Sequence, residues 1–338
     1  TCWSFGTVSF FESEVKRARG IDVDLSEIWW ARAATVEKGK RYLESGGTSN
    51  FGEGGLSHDI TFLMGAHGVV PQSVYTGLLD GKKTHNHAAM FKMMRGAMDA
   101  MVGKKADAEG NAEEGSEAGG ENASTEKSKK KAGRKVKLNP AIERALAGIT
   151  DAYIGAPPTT FEFDGKTWDA KTFASDYLKL DPADYVELMS YGTSPFGGKA
   201  MLDVPDNWLK YDQYENVPLD AFMDAFDGAI QSGFTVAIDV DVSEKGFDAR
   251  KGIAVLSDAD EADPKRVTQE RRDEMFKKKE TTDDHLMHVV GVAKHEDGRK
   301  FYLTKNSWGS VGPFGGNLFM SEAYMRAKLL AFMVHRDA

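Results

Sequence analysis

The chain has 338 residues, 41% of them apolar, with a mean hydropathy of −0.44 and a formal net charge of −9. That acidity leaves no basic face to neutralise phosphates, so nucleic acid is not an expected partner. No apolar run approaches the roughly 20 residues of a membrane helix, so no membrane partner is expected either.

Thr1-Cys2-Trp3-Ser4-Phe5 opens the chain and holds its single cysteine. Between Phe5 and Arg17, Val8, Phe11 and Val15 recur three and four apart, which predicts a helix stopped at Gly20. Cys2 then lies at a helix N-terminus, where the aligned peptide dipoles favour thiolate over thiol. A free cysteine is ordinarily a small buried hydrophobe; its position is what makes this one a candidate nucleophile. Ser26, in Asp24-Leu25-Ser26-Glu27, suits the N-cap of a second helix carrying Ile28, Trp29, Trp30 and Ala33. A loop over 45–55 holds five glycines, and a third helix is predicted from Leu56 to Gly65. His85 and His87 alternate in a polar loop and read as solvated, so neither a metal nor a cofactor is expected.

Residues 103–137 nearly lack large apolar side chains, being acidic first (Glu109, Glu113, Glu114) and then basic (Lys129, Lys130, Lys131, Arg134). Such a stretch buries too little surface to offset its ordering entropy, and a disordered surface insertion is expected. A basic docking patch for an acidic partner is the other reading. Beyond it, Ala141–Ile149 reads as helix and Phe161–Lys166 as a hairpin. Thr172–Leu178 and Pro182–Leu188 read as short helices. Val217–Ser232 reads as an amphipathic helix with Leu219, Phe222, Phe226 and Ile230 on one face. From Phe234 the period changes, and 235–240, 288–293 and 301–305 read as strands. Helices early and strands late predict an α+β protein with two unlike lobes. The expected divisions are a Cys-bearing helical lobe over 1–102, the insertion 103–137, a helical and hairpin insertion over 138–215, and a β-rich lobe over 216–338.

A thiolate needs a base. His285 and His288 both lie in a strand-like run, and alternation puts them on opposite faces. His285 is at the strand mouth, where a base would be exposed, whereas His288 reads as a hydrogen-bonded core residue. Downstream, Asn306 of Asn306-Ser307-Trp308-Gly309 supplies an amide that would accept the Nδ1–H of the histidine and fix its tautomer. Trp308 would cover that bond. The same four residues also suit a plain turn.

With Gly52-Glu53-Gly54-Gly55, Gly68-Val69-Val70-Pro71 and Gly155-Ala156-Pro157-Pro158-Thr159-Thr160-Phe161, these motifs resemble the papain superfamily of cysteine peptidases. They are closest to its bleomycin hydrolase/aminopeptidase C branch. The resemblance spans nearly the whole chain apart from 103–137. In that family the histidine lies six residues before a strand glycine, and Gly291 selects His285.

The resemblance implies a papain-like two-lobe fold, with a helical lobe carrying the cysteine and an antiparallel β-barrel-like lobe carrying His285 and Asn306. It implies Cys2 as nucleophile, His285 as its ion-pair partner and proton donor, Asn306 as the orienting amide, and Gly54 and Gly55 as a backbone edge for peptide substrates. The family's second oxyanion donor is a glutamine upstream of the cysteine, so a longer native chain is expected. Aminopeptidase action is the first expectation. An endopeptidase, or a catalytically inactive binding relative, is the alternative. The branch often assembles as hexamers, so a homo-oligomer is a candidate assembly. A single cysteine suits a reducing cytoplasm, and export stays open.

Overall fold

The structure is a computed structural model that describes residues 1–104 and 132–338. Most of the insertion expected over 103–137 therefore lies outside the described residues. The sequence suggested consecutive lobes; the contacts instead interleave the chain into two compact units. One comprises residues 1–31, 54–76 and 158–338, and the other 32–53 and 77–157.

The second unit is helical. It holds helix α2 (Glu27–Glu44) from Arg32 onward, α4 (Ala88–Val102) and α5 (Pro140–Ile154), with α3 (Ser57–His67) belonging to the first unit. Met90, Met94, Met98, Val102 and Leu146 are buried in it. Gly39 lets α2 pack closely, since a Cβ there would lie 3.3–3.4 Å from Met98 and Leu146. Asn139 caps α5 by accepting from the Ala141 and Ile142 N–H groups. Arg95 lies over the Tyr42 and Phe51 rings, 4.7 and 5.2 Å from their centroids. His87, expected in solvent, is instead buried at the start of α4, and burial lowers its pKa to about 4.

The first unit begins with α1 (Cys2–Arg19), which ends at Gly20 in a left-handed conformation, φ 69°. Ser26 holds the start of α2, its Oγ accepting the Trp29 N–H at 3.1 Å and donating to the Tyr75 carbonyl. β1 (Phe161–Phe163) and β2 (Lys166–Trp168) form the expected hairpin across Asp164 and Gly165, both at positive φ. Ten further strands form one sheet. They are β3 (Tyr185–Met189), β4 (Gly198–Ala200), β5 (Tyr214–Asn216), β6 (Val236–Val240), β7 (Phe247–Asp248), β8 (Ile253–Ala254), β9 (His285–Lys294), β10 (Lys300–Lys305), β11 (Asn317–Ser321) and β12 (Leu329–His335). Their order is β4-β5-β3-β12-β6-β9-β10-β11-β8-β7. The pairing is mostly antiparallel and forms an open ladder among the described residues. The helix Leu219–Gln231 covers one side through Leu219, Phe222 and Phe226, packed with Ile238, Met287, Val289 and Phe332.

The expected helix over Pro182–Leu188 shrinks to one turn, Pro182–Asp184, followed by strand β3. Asp181 caps that turn through the Ala183 N–H. Pairing of Tyr185–Met189 with β12 then overrides local helical preference.

Candidate active site

Cys2, His285 and Asn306 are 283 and 21 residues apart in sequence, yet all belong to the first unit. Helix α1 packs against β9, and Gly6 sets how closely. A Cβ at Gly6 would stand 2.8 Å from the Leu286 carbonyl oxygen, so only glycine lets the helix backbone touch the strand one residue past His285. This seats the first turn of α1, with the half-buried Cys2 thiol, beside the first residue of β9.

The thiol hydrogen-bonds His285 and receives the Leu286 backbone N–H. Burial alone would raise its pKa, but the His285 hydrogen bond and charge overturn that and bring it from 9.0 down to about 7. On the far side of the ring, His285 Nε2 lies 2.8 Å from Asn306 Oδ1. An amide oxygen only accepts, so Nε2 carries the proton and Nδ1 is left facing the thiol. The tautomer is thus the reverse of that expected from the sequence. Nδ1 is the nitrogen nearer the backbone, and α1 lies against the backbone of this strand. Asn306 Oδ1 also accepts the Ser307 N–H at 2.7 Å, which holds the amide in place.

His285 is buried, 3% exposed, rather than open at the strand mouth. Trp308 lies over it with ring centroids 4.8 Å apart and is itself 45% exposed, so the indole shields the ring from water. His288 points to the other face. Its Nδ1 is 3.0 Å from Ser9 Oγ, Phe10 meets it edge-on, and burial followed by the Lys305 charge lowers its pKa to about 3. It is a neutral core histidine, as the strand alternation indicated.

Gly54 and Gly55 lie in the same unit as Cys2. A Cβ on Gly54 would overlap the Asp206 carboxylate, and one on Gly55 would lie 2.5 Å from Asp59 Oδ2 and 2.9 Å from the Trp3 ring. Packing alone therefore accounts for glycine at both positions. Among the described residues, no group of three or more His, Cys, Asp and Glu side chains has the geometry to hold a metal, and no helix is long and apolar enough to cross a membrane.

A thiol on a helix start, an imidazole on a strand, and an amide behind it can together perform acyl transfer through a thioester. On an α+β scaffold of this topology they define the class of papain-like cysteine peptidases. The chain belongs to the Peptidase C1-like family, whose model matches residues 32–338. PepW from Lactobacillus rhamnosis HN001 is similar in structure, with a TM-score of 0.65 at 15% identity over 99% of this chain and 78% of that one. Bromelain from Ananas comosus matches at a TM-score of 0.41 and 12% identity, over 99% and 88% of the two chains. Comparison with the curated proteins gives no match.

Two features escaped the sequence reading. One is Gly6, whose signal was a glycine inside an amphipathic helix. The other is a set of acidic side chains beside Cys2, drawn from segments far apart in the chain.

Proposed function

We propose that this cysteine peptidase uses Cys2 as its nucleophile, His285 as its acid and base, and Asn306 as the group that orients His285. The observation that carries the reading is the continuous chain of contacts from the Cys2 thiol through the His285 ring to Asn306 Oδ1, at 2.8 Å in its last link. The thiol proton passes to Nδ1, giving a thiolate–imidazolium pair. The thiolate attacks the peptide carbonyl carbon, and the new C–S bond leaves a negative oxygen. The Cys2 N–H opens α1, where backbone donors lack intrahelical partners, and is available to that oxygen. His285 then gives its Nδ1 proton to the leaving nitrogen as the C–N bond breaks. In the second half His285 takes a proton from water. The hydroxide adds to the thioester, and the C–S bond breaks to return the thiolate. Trp308 keeps competing water off the Nε2–Asn306 bond throughout.

Within that class we infer an aminopeptidase. Support comes from Gly68-Val69-Val70-Pro71 and Gly155–Phe161, the motifs shared with the bleomycin hydrolase/aminopeptidase C branch. Gly54 and Gly55 are assigned the backbone edge that pairs with the extended peptide. The test is iodoacetamide labelling with peptide hydrolysis. Cys2 should alkylate with a midpoint near pH 7, and Cys2→Ala should abolish turnover at an unchanged melting temperature. A thiol that reacts only near pH 9, or turnover that survives Cys2→Ala, overturns the reading. Hydrolysis of N-acetylated peptides as fast as free-amine ones would replace the aminopeptidase with an endopeptidase.

A further inference from the structure

Near Cys2 the carboxyls of Asp239 and Asp283 have oxygens that meet no donor among the described residues. Asp239, on β6, is 4% exposed, and neither of its carboxyl oxygens meets a donor among the described residues. It interacts carboxyl to carboxyl with Asp283, whose Oδ2 is likewise without a donor. Asp206 adds its negative charge to both. The position of this group matters. Asp283 stands two residues before His285 and senses the Cys2 sulfur, and the Asp206 carboxylate lies against Gly54. The three carboxyls thus form one acidic cluster that couples to the thiol through Asp283 and touches the backbone of Gly54 through Asp206.

Several other buried acids in the same unit are met by donors. Asp241 takes Lys328 at 3.2 Å and the Ser243 N–H at 2.7 Å. Glu187 meets His58 at 3.1 Å, Asp227 takes the Tyr302 hydroxyl at 2.7 Å, and Glu261 takes Ser321 at 2.6 Å. A buried carboxyl without a donor is destabilising, and two side by side cannot both ionise. Burial, followed by Asp206, pushes Asp283 up to about 8, and burial, followed by Asp283, holds Asp239 well above the usual carboxylate range.

We propose that Asp239, Asp283 and Asp206 form a specificity recess that takes a cationic nitrogen of the bound peptide, an ammonium or a guanidinium. The same charge would also offset the negative field that opposes the Cys2 thiolate. The cation is either the peptide's terminal ammonium or a Lys or Arg side chain. The inference rests on the peptidase reading and extends it to substrate choice.

Four fluorogenic peptides test it: free-amine or N-acetylated, each with lysine or norleucine near the scissile bond. On the full chain, kcat/KM for at least one cationic form should exceed that of acetylated norleucine by on the order of tenfold. A free-amine preference identifies the terminal ammonium, and a lysine preference the side chain. Asp283→Asn and Asp239→Asn should each collapse that ratio toward one. Equal kcat/KM for all four peptides, or variants that slow all four alike, overturns the recess. Calorimetry of the same peptides on Cys2→Ala reads the recess without chemistry. Cation-selective binding there, with no turnover by the intact chain, would sink the peptidase reading and keep the recess. Turnover without selectivity would do the reverse.

Discussion

His285 and His288 lie three residues apart on one strand, both are buried, and their surroundings make them opposites. His285 has a thiol on one side of its ring and an amide oxygen on the other, so a protonated ring would have an acceptor on each side. His288 has a hydroxyl on Nδ1 and no partner on Nε2 among the described residues, with the Lys305 ammonium nearby. Burial therefore does not make a base. What matters is whether the charged form of the ring has partners waiting for it.

The largest test of that contrast is to remove each ring. His285→Ala should lower kcat/KM by about 10⁴-fold or more at an unchanged melting temperature. His288→Ala should leave turnover largely intact and cost about 2 kcal/mol in a denaturant titration. Equal losses of turnover from both variants would erase the distinction.

The next tests loosen the geometry without touching the reacting atoms. Asn306→Ala frees the His285 ring, and Gly6→Ala drives a methyl against the Leu286 carbonyl and separates α1 from β9. Each should cost about 10²-fold in kcat, the scale of an ångström-sized misplacement. For Gly6→Ala, turnover at the wild-type rate would show that the approach of helix to strand is not what aligns Cys2.

Acid sensitivity should follow His288. Its folded pKa of about 3 lies below the ordinary value of 6.5, so the unfolded chain binds the extra proton. The stability it contributes is present above about pH 6.5 and is lost as pH falls toward 3. His288→Leu should flatten the melting temperature over that window, and an unchanged slope would assign the acid sensitivity elsewhere.

The smallest effect belongs to Asp283, with the opposite sign. Its folded pKa of about 8 lies above the ordinary 3.8, so the folded chain binds the extra proton. That contribution is full below about pH 4 and is lost as pH rises through 8. Asp283→Asn should raise the melting temperature by a few degrees at pH 8 and by less at pH 5. Equal shifts at both pH values would mean that the carboxyl is not strained by its acidic neighbours.

Much of this was legible along the chain because it is local chemistry. Cys2 at a helix start, Ser26 as a cap, the Phe161–Lys166 hairpin and the parity of His285 and His288 depend only on residues a few positions apart. The order of Cys, His and Asn, with their flanking motifs, carried the family resemblance. Strand β3 was misread as helix because its partner, β12, is about 150 residues away, and no local signal announces that pairing.

The tertiary structure alone decided which nitrogen of His285 faces the thiol, because that depends on where α1 crosses β9. It alone explained Gly6, whose constraint is a carbonyl 280 positions further along the chain. It also brought Asp206, Asp239 and Asp283 together from separate segments. Sequence records which side chains exist and how they alternate along an element. The field at the Cys2 thiol is a sum over distances in space, and only folding sets those distances.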